Sequence, residues 1–117
     1  MYRDDKNGAA SIQHMKERQL SKIREVAEAL VTSGFVLLDD QAKVLGVPRS
    51  TAWVILHGRY KKSGLTPKVV ERMLSSQELP PLVRSKIIEY GEEKASGLYG
   101  QTTPQTHRFF SELAFER

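Results

Sequence analysis

The chain has 117 residues, 39% hydrophobic and 27% charged, with a formal net charge of +4, which describes an ordinary soluble domain with one modest core. No apolar run approaches the roughly 18 residues of a membrane span, and the opening MYRDDKNGAAS lacks the apolar stretch of a signal peptide. The absence of cysteine excludes disulfides, thiolate nucleophiles and cysteine-based zinc sites, and fits a reducing cytoplasm.

Residues 1–11 are polar and contain Gly, Ala and Ser, so they read as a flexible N-terminal tail. A helix is predicted over about 12–33. Leu20, Ile23, Ala27, Leu30 and Val31 form its apolar face, Lys22, Arg24, Glu25 and Glu28 lie elsewhere, and Gly34 is its stop. Phe35 to Leu38 reads as a buried connector, after which Asp39 or Asp40 caps a second helix.

The run LDDQAKVLGVPRSTAWVILH, residues 38–57, has small and apolar residues where two tightly crossed helices need them. Ala42 is small at the crossing, Gly46 suits a turn with positive φ, Val47 plugs the turn and Pro48 opens a new helix. Ala52, Ile55 and Leu56 then give a buried stripe. This is the pattern of a helix-turn-helix, with a recognition helix over about 48–58.

HGRYKKSGLTP follows as a basic loop. Thr66 and Pro67 start a fourth helix with Val69, Val70, Met73 and Leu74 on its buried face. Pro80 and Pro81 open a fifth, with Leu82, Val83, Ile87 and Tyr90 inward, and a last helix spans about 104–115 with Phe109, Phe110, Leu113 and Phe115 apolar. Glu92 and Glu93 read as solvated helix charges, and the G-x-x-G at 97–100 as a helix end. The expected fold class is all-α: one compact domain of five to six helices, with a tail at 1–11, a helix-turn-helix region at 12–75 and C-terminal helices at 76–117 for packing or dimerisation.

Charge is not spread evenly. Residues 34–75 carry seven basic and three acidic side chains, whereas 1–33 and 76–117 are close to neutral, and no acidic residue occurs from Arg49 to Val70. Such an excess suits a phosphate backbone; the alternative is a solvated basic loop.

The stretch from Leu38 to about Leu74 resembles the DNA-binding headpiece of lactose-repressor-family regulators. AKVLGVPRSTAWVILHG is similar to that family's small-x-x-x-Gly-Val-Ser-x-x-Thr-Val-Ser-x-Val-Leu-Asn pattern, and LTPKVVERML to the capped third helix. The resemblance implies a bacterial transcriptional regulator that binds DNA through the second of its paired helices. Gln41 stands where the family more often has an apolar residue, Pro48 replaces the usual Ser, and Trp53 and Val54 stand where Ser and Arg are common. The residues after Leu74 do not read as the family's hinge and sugar-binding domain, so sugar sensing is not expected.

On the recognition helix Arg49, Ser50, Trp53, Val54 and His57 are left for the outer face. Arg49 is the candidate base contact, since its fork can bond guanine O6 and N7 together; a phosphate contact or a free surface charge is the alternative. Ser50 and Thr51 either donate to phosphates or cap the helix that Pro48 opens. Trp53 either lies against thymine methyls or packs on a neighbouring helix, the latter being favoured. Arg59, Tyr60, Lys61 and Lys62 suit phosphate clamping, or form an ordinary exposed turn. No metal-ligand spacing, nucleophile elbow or phosphate loop is present, so neither an enzyme nor a bound cofactor is expected. A single recognition helix buries little surface, so a homodimer on double-stranded DNA is expected, with the apolar 76–117 segment as its interface. The competing readings are a helical protein-binding adaptor and an antitoxin-like repressor that also holds a protein partner.

Overall fold

Apolar residues spaced three and four apart dictate helices, and a computed structural model has six among its described residues: α1 (Arg3–Thr32), α2 (Leu38–Leu45), α3 (Arg49–Leu56), α4 (Pro67–Leu74), α5 (Pro81–Ala95) and α6 (Pro104–Glu116). It describes the backbone of residues 3–58, 64–100 and 102–116 and the side chains of 12–58, 64–100 and 102–115, with no strand among them. The fold class is all-α in one compact body, as expected.

α1 is a strut of 30 residues. Its backbone includes residues 3–11, where the composition predicts a flexible tail. The strut packs on α5 and α3, and α5 in turn packs along α6.

The buried face of α1 is Gln19, Ile23, Val26, Ala29 and Leu30. The expected face is rotated from this one: Leu20 and Ala27 are half-buried, and Val31 is exposed. Leu82 of α5 is likewise exposed, beside the buried Val83, Ile87 and Tyr90. Adjacent helical residues point about 100° apart, so a position next to a core residue can face water. Phe115 is also exposed.

The 35–37 connector departs from the expected burial. Phe35 is half-buried and closes the end of α1 by donating its N–H to the Leu30 carbonyl, but Val36 and Leu37 are largely exposed. Asp39 and Asp40 do not cap α2 from its N-cap position, which Leu37 occupies; they sit in the first turn, where the helix dipole favours carboxylates. Thr66 does cap α4, accepting the Val69 N–H at 3.3 Å.

Tyr90 is the centre of the core. Its ring meets Phe110 edge-on and lies 5.3 Å from Tyr99. Gly91 lets α6 approach, because a Cβ there would come within 2.9 Å of Leu113 Cδ2. The Tyr90 hydroxyl donates to Gln19 Oε1 at 2.8 Å and accepts the Leu65 N–H at 2.9 Å. Gly64, at φ +75°, is held against this junction: a Cβ would collide with the Gln19 amide and the Tyr90 hydroxyl.

Outside the core, α1 and α5 are joined by a lattice of charges. Lys22 bonds Glu25 and Glu89, Lys86 bonds both of the same carboxylates, and Arg18 places two nitrogens on Glu93. Glu93 also accepts from the Tyr99 hydroxyl at 2.8 Å, so it is not the solvated helix charge expected from sequence. Burial opposes its ionisation, but the bonds from Arg18 and Tyr99 and the charge of Lys22 win, and its carboxyl lies below the usual range. A depressed folded pKa contributes stability above the ordinary carboxyl pKa, which is lost as pH falls through that range. Chemical denaturation should therefore show stability declining below about pH 5 in the native chain, with a shallower decline in Glu93→Gln.

Candidate functional site

α2 and α3 are two eight-residue helices joined by a turn at 46–48. Gly46 ends α2 at φ +72°, and the N–H groups of Gly46 and Val47 both reach the Ala42 carbonyl. A Cβ on Gly46 would press to 3.2 Å from Ser76 Cβ and 3.3 Å from the Arg72 carbonyl oxygen, so the end of α4 rests on this turn. Ser76 fastens it further by donating to the Val44 carbonyl at 2.7 Å. Val47 is buried as the plug, and Pro48, extended at ψ 153°, starts α3 by giving its carbonyl to the Ala52 N–H. Gln41 is buried where the resemblance has an apolar residue, and its Nε2 donates to the Phe35 carbonyl at 2.7 Å, which removes the cost of burying an amide there.

Ala52 and Ile55 are fully buried and fix the roll of α3 about its axis. Pro48, Arg49, Ser50, Trp53 and His57 are consequently exposed on the opposite side, while Thr51 and Val54 are half-buried on the flanks. Trp53, for which packing on a neighbouring helix was the favoured expectation, has its one described ring contact with His57. Trp53 is 41% exposed and stacks on His57 of the same helix end, with ring centroids 4.4 Å apart. His57 lies 2.9 Å, through Nδ1, from the Trp53 carbonyl oxygen; because that oxygen only accepts, Nδ1 carries a proton. The two rings thus form a rigid aromatic step on the exposed face of α3.

Arg49 is ion-paired through Nε with Asp39 in the first turn of α2. Both side chains are more than two-thirds exposed, at 69% and 78%, so the pair contributes at most about 1 kcal/mol and is readily exchanged for another anion. Sequence reading gave Asp39 a capping role only; nothing in a linear pattern shows that a residue ten positions away meets Arg49.

α1 also reaches this face. Leu20 touches the Gly58 backbone region, and Arg24 borders a cleft of about 160 Å³ shared with Leu56, His57 and Gly58. Arg24 reads in the sequence as solvent-facing charge, and only the crossing of α1 over the end of α3 brings it beside His57. Arg59, Tyr60, Lys61 and Lys62 lie outside the described residues, whose nearest neighbours in the chain are Gly58 and the buried Gly64.

No helix among the described residues is long and apolar enough to cross a membrane. No family model, no curated protein and no solved structure matches this chain.

The division of α3 into two faces has a measurable consequence. Ala52→Leu should overfill the crossing and destabilise by about 1–3 kcal/mol. Trp53→Ala should cost no more than about 1.5 kcal/mol, the value of one aromatic stacking contact. Urea denaturation of the two variants checks the order.

Proposed function

We propose that α2, the 46–48 turn and α3 form a helix-turn-helix, and that the protein is a sequence-specific DNA-binding transcriptional regulator. The observation that carries this reading is the exposed stripe of Arg49, Ser50, Trp53 and His57 on α3, backed by the buried Ala52 and Ile55. It belongs to the segment that holds the chain's positive excess, in which no acidic residue occurs from Arg49 to Val70. In this reading α3 enters the major groove of double-stranded DNA and Arg49 leaves Asp39 for a guanine edge. Trp53, held by His57, presents an apolar surface to thymine methyls or sugars. Arg59, Tyr60, Lys61 and Lys62 hold phosphates on one flank, and Arg24 adds a charge beside the end of α3. The protein works by occupying an operator and not by chemistry.

Selection of bound sequences from random duplexes, followed by a salt titration, tests the reading. Four phosphate contacts give a log–log salt slope of about −3.6. Arg49→Ala should relax the preference at one base position at a cost of about 1–3 kcal/mol, whereas Lys61→Ala should weaken all sequences alike. A duplex complex with a slope near zero, or no enrichment of any sequence, would rule the assignment out.

A homodimer suits this function, because two recognition helices reach successive major grooves. Leu82, Leu98 and Phe115, exposed at 41%, 40% and 91%, supply apolar surface for it in the 76–117 segment. Light scattering of the full chain at tens of micromolar should give the dimer mass, and a strict monomer would exclude it. The second reading, a protein-binding adaptor or antitoxin-like repressor, draws on Val31, Val36 and Leu37, exposed together near the α1–α2 junction. Binding to a protein partner that survives high salt, without duplex binding, would favour it.

A further inference from the structure

The exposed stripe on α3 is chemically uneven along its length. Arg49 and Trp53 on the helix and His57 at its C-cap stand four residues apart, so they follow one side of the helix at intervals of about 6 Å. Ser50 is exposed beside Arg49, Thr51 and Val54 are half-buried on the flanks, and Ala52 and Ile55 lie in the core. Arg49 and Ser50 thus place hydrogen-bonding groups at the N-terminal end of the stripe. Its middle is Trp53, whose indole offers apolar surface apart from a single N–H at the ring edge.

The indole is held by its neighbour. The imidazole of His57 stacks on it with centroids 4.4 Å apart and 20° between the planes, while His57 Nδ1 lies 2.9 Å from the Trp53 carbonyl oxygen. Trp53 nevertheless remains 41% exposed. A tryptophan has two side-chain torsions, and one already stacked loses little further freedom when a ligand arrives.

Each base pair presents hydrogen-bond donors and acceptors in the major groove, with one apolar group among them, the C5-methyl of thymine. An indole at the middle of a groove-reading face therefore has that one feature to match. 5-Methylcytosine carries the same methyl on the same ring carbon. We propose that Trp53 reads a pyrimidine C5-methyl, so that the protein prefers thymine to uracil, and 5-methylcytosine to cytosine, at one position of its site. On the reading of α3 as a groove-entering helix, on which this rests, Arg49 supplies the polar readout and Trp53 the apolar one. Covering one methyl group with the ring sets the size of the preference at about fourfold. A deoxyribose contact by the same ring is indifferent to the C5 substituent, which separates the two modes.

The test uses the full chain and the duplex enriched by selection. Each thymine is replaced in turn by uracil, and each cytosine by 5-methylcytosine, and binding is followed by the anisotropy of a labelled duplex. At the responding position all four pyrimidines are then compared. Uracil should bind about fourfold more weakly than thymine there, and methylation of cytosine should strengthen binding by about the same factor. Trp53 is the sole tryptophan of the chain, so intrinsic fluorescence reports on the contact directly. Its emission should shift to the blue on binding the thymine duplex, and less on binding the uracil one. Trp53→Ala should bind the two duplexes equally while keeping the guanine preference assigned to Arg49, and Trp53→Phe should retain part of the methyl preference. Duplex binding with no effect of the C5-methyl at any position, or a full methyl preference in Trp53→Ala, would overturn the inference and leave DNA recognition by α3 standing. Enrichment of no duplex at all would overturn both.

Discussion

The buried hydroxyl of Tyr90 is the constraint on which the other elements depend. It joins α5 to Gln19 of α1 and to the backbone of Leu65, which leads into α4, while the ring beneath it packs against Phe110 of α6. A polar group so placed is costly unless satisfied, and its partners come from segments distant in sequence. Gln19, Gly64 and Leu65 are therefore fixed by the same junction that orders the core. The close approach of α6 over Gly91 completes the seat of the ring. Directional bonds at this point add a specificity that an apolar contact of the same area lacks.

Two electrostatic regimes share the molecule. Along α1 and α5, cations and carboxylates alternate closely enough to satisfy one another, as Lys22, Glu25, Lys86 and Glu89 do, so that side offers little net field. From Arg49 to Val70 no acidic side chain interrupts the basic ones, and the ion pair of Arg49 reaches back to Asp39. Exposed pairs of that kind exchange partners easily. The ion-paired side chains of α1 and α5 and the basic run from Arg49 to Val70 are thus separated in the sequence.

The short α2 and α3 depend on this support. Helices of eight residues are marginal in isolation, and most of their stability comes from tertiary packing. Ser76 bonded to Val44, the α4 end resting on Gly46, and Leu20 touching Gly58 clamp the pair from both sides. The exposed Trp53 stacks on His57. Proposed here as a DNA-reading face, this surface keeps its geometry because its apolar backing is short and fully buried.

Much of the architecture was legible in the sequence. Helix number and order, the Gly46–Val47–Pro48 turn, the Thr66 cap, the buried Ala52 and Ile55, and the aromatic Phe110 all follow from local spacing and turn chemistry, which act over a few residues. The segregation of positive charge was legible for the same reason. Tertiary structure alone decided which of two neighbouring faces α1 turns inward, so that Val26 and Ala29 are buried and Val31 is exposed. It also left Val36, Leu37 and Leu82 exposed, stacked Trp53 on His57, drew Glu93 into a bonded cluster, and brought Arg24 to the same cleft as His57 and Asp39 to Arg49. A sequence pattern records what each residue prefers over one or two turns; the choice among equivalent faces, and every pairing across the core, depends on where the other helices lie.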